Sequence, residues 1–526
     1  MRRPHRLLAA CVLLGWSATA LAQGANEDLV CRPDAPELDL NSTLRAISLD
    51  VRGRVPTPEE YAALAGQTDI PEALLDEWLN SEDFITRAVR WHRELLWNNI
   101  TNLTVTSFRM GLTRTAEGLW YRRSQGLPYR GLENISCQDV PAQFDGDGNI
   151  VTVLDAGAQR EGYVMVEPYW APGTQIKVCA FDAQANLVTD TGEACGRGSI
   201  GKSSPQCGCG PNMRWCRQGD INTQITRAMA EDVERRIAAL IREDRPYTEL
   251  FTTRRAFVNG PLVHFFRHQA GLSDGISFEP VAVNVEQLPN IPFTEQTTWA
   301  EIELPAGHAG ILTSPAYLLR FQTQRARTNR FFNAFLCEPF QPPVGGIPVG
   351  DVAAMREPDL QKRHGCKYCH ALLEPAGAHW GRWPERSAGY LEPTRFPALR
   401  DDCRRCGQSG GTNCPAECSA FYFTRATYDS EKPYLGMLWA YHFLRDDHLT
   451  NVDQGPSYLM RTTVADNRLP ACVSGHTLSK LAGRLLLPEE ETVVNDEMAA
   501  AFVQSNYNFK TLVKRVVTSP VYRRVR

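Results

Sequence analysis

Beyond its first two dozen residues, this 526-residue chain has no apolar run long enough to cross a bilayer as a helix, which takes about 20 residues. No transmembrane segment is therefore expected. Strong charge of either sign is also missing. A net charge of −4 gives no general case for nucleic acid or for an anionic membrane surface as a partner. The chain has no H-E-x-x-H, no P-loop and no complete dinucleotide fingerprint, so these familiar routes to hydrolysis, phosphoryl transfer and hydride transfer have no signature here. No clear short-period repeat recurs along it.

What the chain does have is cysteine, sixteen in all, together with an N-terminal export signal. Arg2, Arg3 and Arg6 form a basic start, Leu7 to Ala20 an apolar run, and Ala20-Leu21-Ala22 a small-x-small cleavage site. This is the pattern of a secretory signal peptide cut before Gln23. Leu8 to Cys11 also resembles a lipoprotein box, but with a very short apolar core in front of it. The expected location is outside the cytoplasm, either periplasmic or at the cell surface and beyond. There cysteines oxidise to disulfides. Cys11 leaves with the signal.

Composition and periodicity divide the remainder. The expected fold class is mainly α, a multi-helix body carrying a Cys-rich irregular or β insertion and a haem-binding region of cytochrome-c type. After the signal peptide (1–22), residues 23–131 read as helical. Thr57-Pro58-Glu59-Glu60 is a capping box, and Phe84, Ala88, Trp91 and Leu95 recur at helical spacing. Residues 132–219 turn to short alternating runs between Gly, Pro, Asn and Asp. They hold Cys137, Cys179, Cys195, Cys207, Cys209 and Cys216, so a disulfide-stapled insertion is expected, with a metal site as the alternative; fifteen pairings are open. Residues 220–345 read as helical again, with Ile221, Ile225, Met229, Val233, Ile237 and Leu240 on one face. A Pro- and Gly-rich linker, 341–355, leads into a region at 346–430 with a second cluster, Cys403, Cys406, Cys414 and Cys418. Residues 431–526 read as helical, notably 432–444 and 489–517.

The chemistry-bearing motif is Cys366-Lys367-Tyr368-Cys369-His370. C-x-x-C-H is the attachment sequence of c-type haem. Two thiols a few residues apart match the two vinyl groups of one porphyrin, and the histidine directly after the second thiol lies under the iron. One covalent haem c is therefore expected, held by Cys366, Cys369 and His370, with His370 as the proximal ligand. Two alternatives stand beside it. Cys366 and Cys369 with Cys403 and Cys406 form C-x-x-C…C-x-x-C, a candidate four-sulfur zinc site. Alternatively, the pair are disulfide half-cystines. If haem takes Cys366 and Cys369, thirteen cysteines of the mature chain remain, an odd number. Gly407-Gln408-Ser409-Gly410-Gly411 matches the hydrolase elbow, but it lies in a turn-rich stretch where the required strand-to-helix junction is not expected.

For the sixth ligand, Met437 and Met460 lie at the spacing of small monohaem cytochromes, with His379 and His442 behind them and His448 also available. Glu374-Pro375 is expected to end the helix that begins at the cysteines, and a carbonyl at that break to accept the other ring proton of His370.

Several blocks occur in order: "RGRVPTPEEYAALAG", "LNSEDFITRAVRWHRELLW", "HAGILTSPAYLLRF", "CKYCHALLEPAGAHWGRW" and "YNFKTLVKRVVTSPVYRR". With these the chain resembles the large secreted cytochrome-c-like proteins abundant in planctomycetes and myxobacteria. In that family an Asp-Pro-x-Gly typically follows the haem motif; Glu374-Pro375-Ala376-Gly377 stands in its place. The resemblance implies a helical body and haem at Cys366, Cys369 and His370. It names no substrate, since the family's physiological reaction is generally unassigned. The function expected is electron transfer with an unidentified redox partner protein. The alternatives are a haem enzyme acting on peroxide or another small oxidant, and a non-redox Cys-rich surface-binding protein.

Overall fold

The computed structural model describes residues 36–123, 130, 132, 134–340, 346 and 356–524. The expected signal peptide and most of the expected linker lie outside the described residues, as does Cys31.

Helices carry the molecule. Leu40–Arg52 starts at Asp39, whose carboxylate accepts from the Asn41 and Ser42 amides, and it stops where Gly53 adopts φ 77°. The capping box forms as expected, with Thr57 and Glu60 satisfying each other's backbone amides. Glu82–Leu96 is capped by Ser81 and buries Phe84, Ala88 and Trp91; its last inward side chain is Leu96, while Leu95 is half-buried. Ile221–Arg242, the longest described helix, buries all six residues of its apolar face. It packs on Glu82–Leu96. The C-terminal helices Arg468–Ala482 and Phe509–Val517 add Leu469, Val473, Leu512 and Val516 to the same core. One continuous apolar core thus runs from Leu44 to Tyr522 and takes in Trp380 and Trp383, just after the C-x-x-C-H motif.

Helical structure ends earlier than the sequence suggests. Leu112–Arg114 and Leu119–Arg122 are strands. They join Ile176–Cys179 and Tyr163–Val166 in a four-stranded sheet, with Leu119–Arg122 and Ile176–Cys179 parallel and the other two pairings antiparallel. Backbone donors and acceptors of a short strand need partners, and the Cys-rich segment supplies them; periodicity within 112–122 cannot reveal this. A hairpin, Val153–Asp155 with Ala158–Arg160, turns through Ala156 and Gly157, both at positive φ. That is the geometry a tight two-residue turn requires. Arg255–Val258 and Ala300–Glu303 form a further antiparallel pair inside the stretch expected to be helical.

The Cys-rich lobe is too small for a large apolar core, so it is held by other means. Its six cysteines pair among themselves as Cys137–Cys179, Cys195–Cys207 and Cys209–Cys216. A buried ionic cluster lies beside them. Arg122 and Arg130 both bond Asp182, at 2.8 and 2.9 Å, and Arg130 also bonds Glu161. All four side chains are at most 2% exposed. Mutual pairing is what makes such burial tolerable.

Residues 432–444 are not an α-helix. They form short 3₁₀ turns, Asp429–Tyr434 and Trp439–Tyr441, and isolated bridges place Met437 opposite Leu399 and Leu438 opposite Tyr422. Pro433 and Gly436, the latter at φ 84°, break the regular helix there.

Candidate functional site

Cys366 flanks the helix Lys367–Gly377, and Cys369 and His370 lie in its first turn. Residues at i, i+3 and i+4 share one face of a helix. The first turn is closed by the Cys369 and His370 amides, both donating to the Cys366 carbonyl, at 3.2 and 3.1 Å. Both sulfurs and the imidazole are therefore presented together, and all three residues are half-buried. The helix does not end at Glu374-Pro375 as expected. It continues through Pro375 to Gly377 and passes into a 3₁₀ turn, Ala378–Trp380. The Pro375 carbonyl accepts from Asn451 Nδ2 at 3.0 Å, which ties this last turn to the helix Asp446–Ala465.

The ring of His370 has a different partner from the carbonyl expected. No carbonyl takes its ring proton. Nδ1 lies 2.6 Å from Glu374 Oε1, one helical turn on, and Arg325 Nε donates to the same oxygen at 2.7 Å. A carboxylate only accepts, so Nδ1 is the donor of this bond, and in a neutral ring with that tautomer Nε2 is the nitrogen that can act as a ligand. The i, i+4 spacing of His370 and Glu374 was available in the sequence; Arg325, far away along the chain, was not.

Beside Glu374 lies a cavity of about 620 Å³. Leu391, Leu438, Trp439 and Phe443 give it apolar walls, while Arg325 and Arg363 line it together with Asp359, Glu374 and Glu385. Cys366, Cys369 and His370 are not themselves among its lining residues. His442 also lines this cavity. Its ring stacks on Phe423, with centroids 4.4 Å apart, and Phe443, Trp439 and Tyr434 close around it. Its Nε2 is buried without a hydrogen-bond partner; Glu431 Oε1 stands 3.9 Å away. Burial lowers the pKa of this imidazole, favouring the neutral ring.

The other candidates stand elsewhere. Met460 is 3% exposed in the main core. Met437 packs against the second apolar cluster, with Cys403 and Cys418. His379 is buried, its Nδ1 bonded to the Gly455 carbonyl at 3.0 Å, and desolvation takes its pKa down to about 4. His448 sits beside Arg445. None of these four residues lines the cavity next to Glu374.

Cys366 and Cys369 take part in none of the six disulfides found among the described residues. Cys403 pairs with Cys418 and Cys406 with Cys414. The four-sulfur zinc site drawn from Cys366, Cys369, Cys403 and Cys406 does not form, because a disulfide sulfur is no thiolate ligand. The same holds where metal-binding residue types gather. Cys337–Cys472 with His476, Cys137–Cys179 with Glu161, and Cys403–Cys418 with Asp402 each have both sulfurs bonded to one another. Ser409 follows the helix Asp401–Gln408, and its hydroxyl donates to the Arg405 carbonyl. A hydrolase elbow needs a strand in front of the serine, so this is not one.

Comparison with protein families, with curated proteins and with solved structures gives no match for this chain. Among the described residues no helix is long and apolar enough to cross a membrane.

Proposed function

We propose that this chain is an exported monohaem c-type cytochrome that passes electrons to or from a redox partner protein. The observation that carries this is the first turn of the Lys367–Gly377 helix, where Cys366, Cys369 and His370 share one face and Glu374 fixes the imidazole. Cys366 and Cys369 would hold the haem through thioethers, and His370 Nε2 would bind the iron. When bound, the haem supplies a one-electron ferric/ferrous couple.

The chain's own residues set the conditions of that couple. Glu374 keeps the Nδ1 proton on His370, orients the ring and raises its basicity as a ligand. Arg325 neutralises part of the Glu374 charge. The cavity beside Glu374 offers apolar surface that a macrocycle could cover. Pairing of Cys403 and Cys406 with other cysteines removes the zinc alternative's second half. Six disulfides fit an oxidising compartment, in agreement with the N-terminal export signal. The resemblance to large secreted cytochrome-c-like proteins points the same way.

The test is a redox titration of the haem-loaded protein with added cyanide or peroxide as a second arm. Electron transfer predicts a reversible one-electron wave and no rapid ligand binding. Fast cyanide binding or peroxide turnover would instead favour the haem-enzyme alternative. A protein without haem would favour a binding role for the Cys-rich lobe.

A further inference from the structure

We propose that Cys337–Cys472 is a thiol-exchange site, opened and closed by a dithiol that attacks Cys337, with His476 handling the proton of Cys472. This goes beyond the haem reading and does not depend on it. The bridges of the Cys-rich lobe and Cys403–Cys418 have both residues fully buried, and Cys406 and Cys414 are half-buried. Among the paired cysteines of the described residues, Cys337 alone is exposed, while its partner Cys472 is 3% exposed. Exchange begins with attack of a thiolate on a sulfur it can reach. Cys337 is therefore the attacked residue and Cys472 the leaving group.

The surroundings of the bond add to this. Cys337 follows the turn Phe332–Leu336 with φ 57°, a left-handed conformation uncommon for a residue with a Cβ. A ring nitrogen of His476 lies within 4.8 Å of both sulfurs. The Nε2 of this ring is buried without a hydrogen-bond partner, and burial favours the neutral form. A neutral imidazole there takes the proton from the Cys472 thiol when the bond re-forms and returns it when the bond opens. The steps balance. One thiolate of the dithiol bonds to the Cys337 sulfur as Cys337–Cys472 breaks, and the Cys472 sulfur leaves with the electron pair and gains a proton. The dithiol's second thiolate then attacks the mixed disulfide at the dithiol's own sulfur, and Cys337 leaves and gains a proton. The dithiol ends as a disulfide, and the chain has gained two electrons and two protons. The bond closes a 135-residue span that carries Cys366, Cys369 and His370, so its state sets how firmly that region is tied down.

Disulfide mapping of the full chain by mass spectrometry tests this. Free thiols are blocked first, the native protein meets limited dithiothreitol, and newly freed thiols are labelled. Cys337 and Cys472 should be labelled roughly tenfold faster than any other pair, because access governs the rate. With glutathione instead, the trapped adduct should sit on Cys337. His476→Phe should slow opening and closing alike, by roughly tenfold, because a proton-transfer group speeds both directions equally; a merely structural role would change their ratio. Opening of Cys406–Cys414 as fast or faster overturns the proposal, and so does an adduct on Cys472. Wild-type rates in His476→Phe, or a changed ratio, overturn the part given to His476. The mapping and the adduct are read on the wild type, so they decide even where the variant fails to fold, and neither depends on haem at Cys366 and Cys369.

Discussion

Glu374 Oε1 accepts from both His370 Nδ1 and Arg325 Nε, so if the proposed haem is bound two substitutions should move its potential in opposite directions. Glu374→Gln keeps the shape and an acceptor but removes the negative charge. The imidazole becomes a weaker donor, ferric iron is less favoured, and the potential rises. Arg325→Gln strips a positive charge and leaves Glu374 free to pull harder on the ring, so the potential falls. Spectroelectrochemical titration of the two variants checks this, and shifts of the same sign would contradict it. The C-x-x-C-H motif was legible in the sequence because its residues lie within five consecutive positions. The aromatic cage of His442 was not, because Phe423, Tyr434, Trp439 and Phe443 meet only through non-helical turns that periodicity cannot reveal.

Buried histidines set a pH dependence. Desolvation takes His92 down to about 4, and His264 and His308 to about 3, from an ordinary value near 6.5. Between pH 6.5 and 4 the unfolded chain therefore binds more protons than the folded one. Stability is full above pH 6.5 and falls on acidification, by up to roughly 1.4 kcal/mol per pH unit for each group. Denaturant unfolding at pH 7.5 and 5 should show the loss. His92→Gln, which cannot titrate, should have a shallower slope; an unchanged slope would refute the role of His92.

At the scale of elements, two ties place the haem-motif region. Arg327 is fully buried on the helix Gln324–Phe331, and its guanidinium donates to the carbonyls of Phe321, Trp383, Pro384 and Ser387. Pro384 and Glu385 line the cavity, so this side chain shapes one of its walls. Arg327→Met leaves several buried carbonyls without donors and should cost about 3 kcal/mol or more. A loss within about 0.5 kcal/mol, the range of a surface change, would contradict the account.

The second tie is Cys337–Cys472, which spans 135 residues and encloses the motif helix, the second cysteine cluster and the cavity's lining apart from Gln324 and Arg325. Replacing both cysteines with Ser should lower stability by roughly 3–5 kcal/mol, by the loop-entropy argument. Hydrogen exchange should rise mainly between residues 337 and 472. Exchange spread evenly over the chain would show that the bond does not act on this segment in particular. Helices with strong one-faced periodicity, such as Ile221–Arg242, were readable from sequence. Leu112–Arg114 and Leu119–Arg122 were not, since strands this short take their identity from distant partners, here Ile176–Cys179.

At the scale of the molecule, the motif region is not a separate small cytochrome joined to a helical body. Trp380, fully buried, donates its indole N–H to the Leu312 carbonyl at 2.9 Å, and Trp383 lies in the same core as the N- and C-terminal helices. The Cys-rich lobe, in contrast, keeps its three disulfides to itself. On the proposed reading this body holds one redox site, and that proposal rests on covalent haem at Cys366 and Cys369. The direct measurement is a pyridine haemochrome assay joined to the denatured intact mass, on protein made with the haem-attachment machinery. One haem per chain should remain bound through denaturation and reduction, and should be lost when both cysteines become Ser. A wild-type mass equal to the bare polypeptide, with no haemochrome signal, would contradict the account.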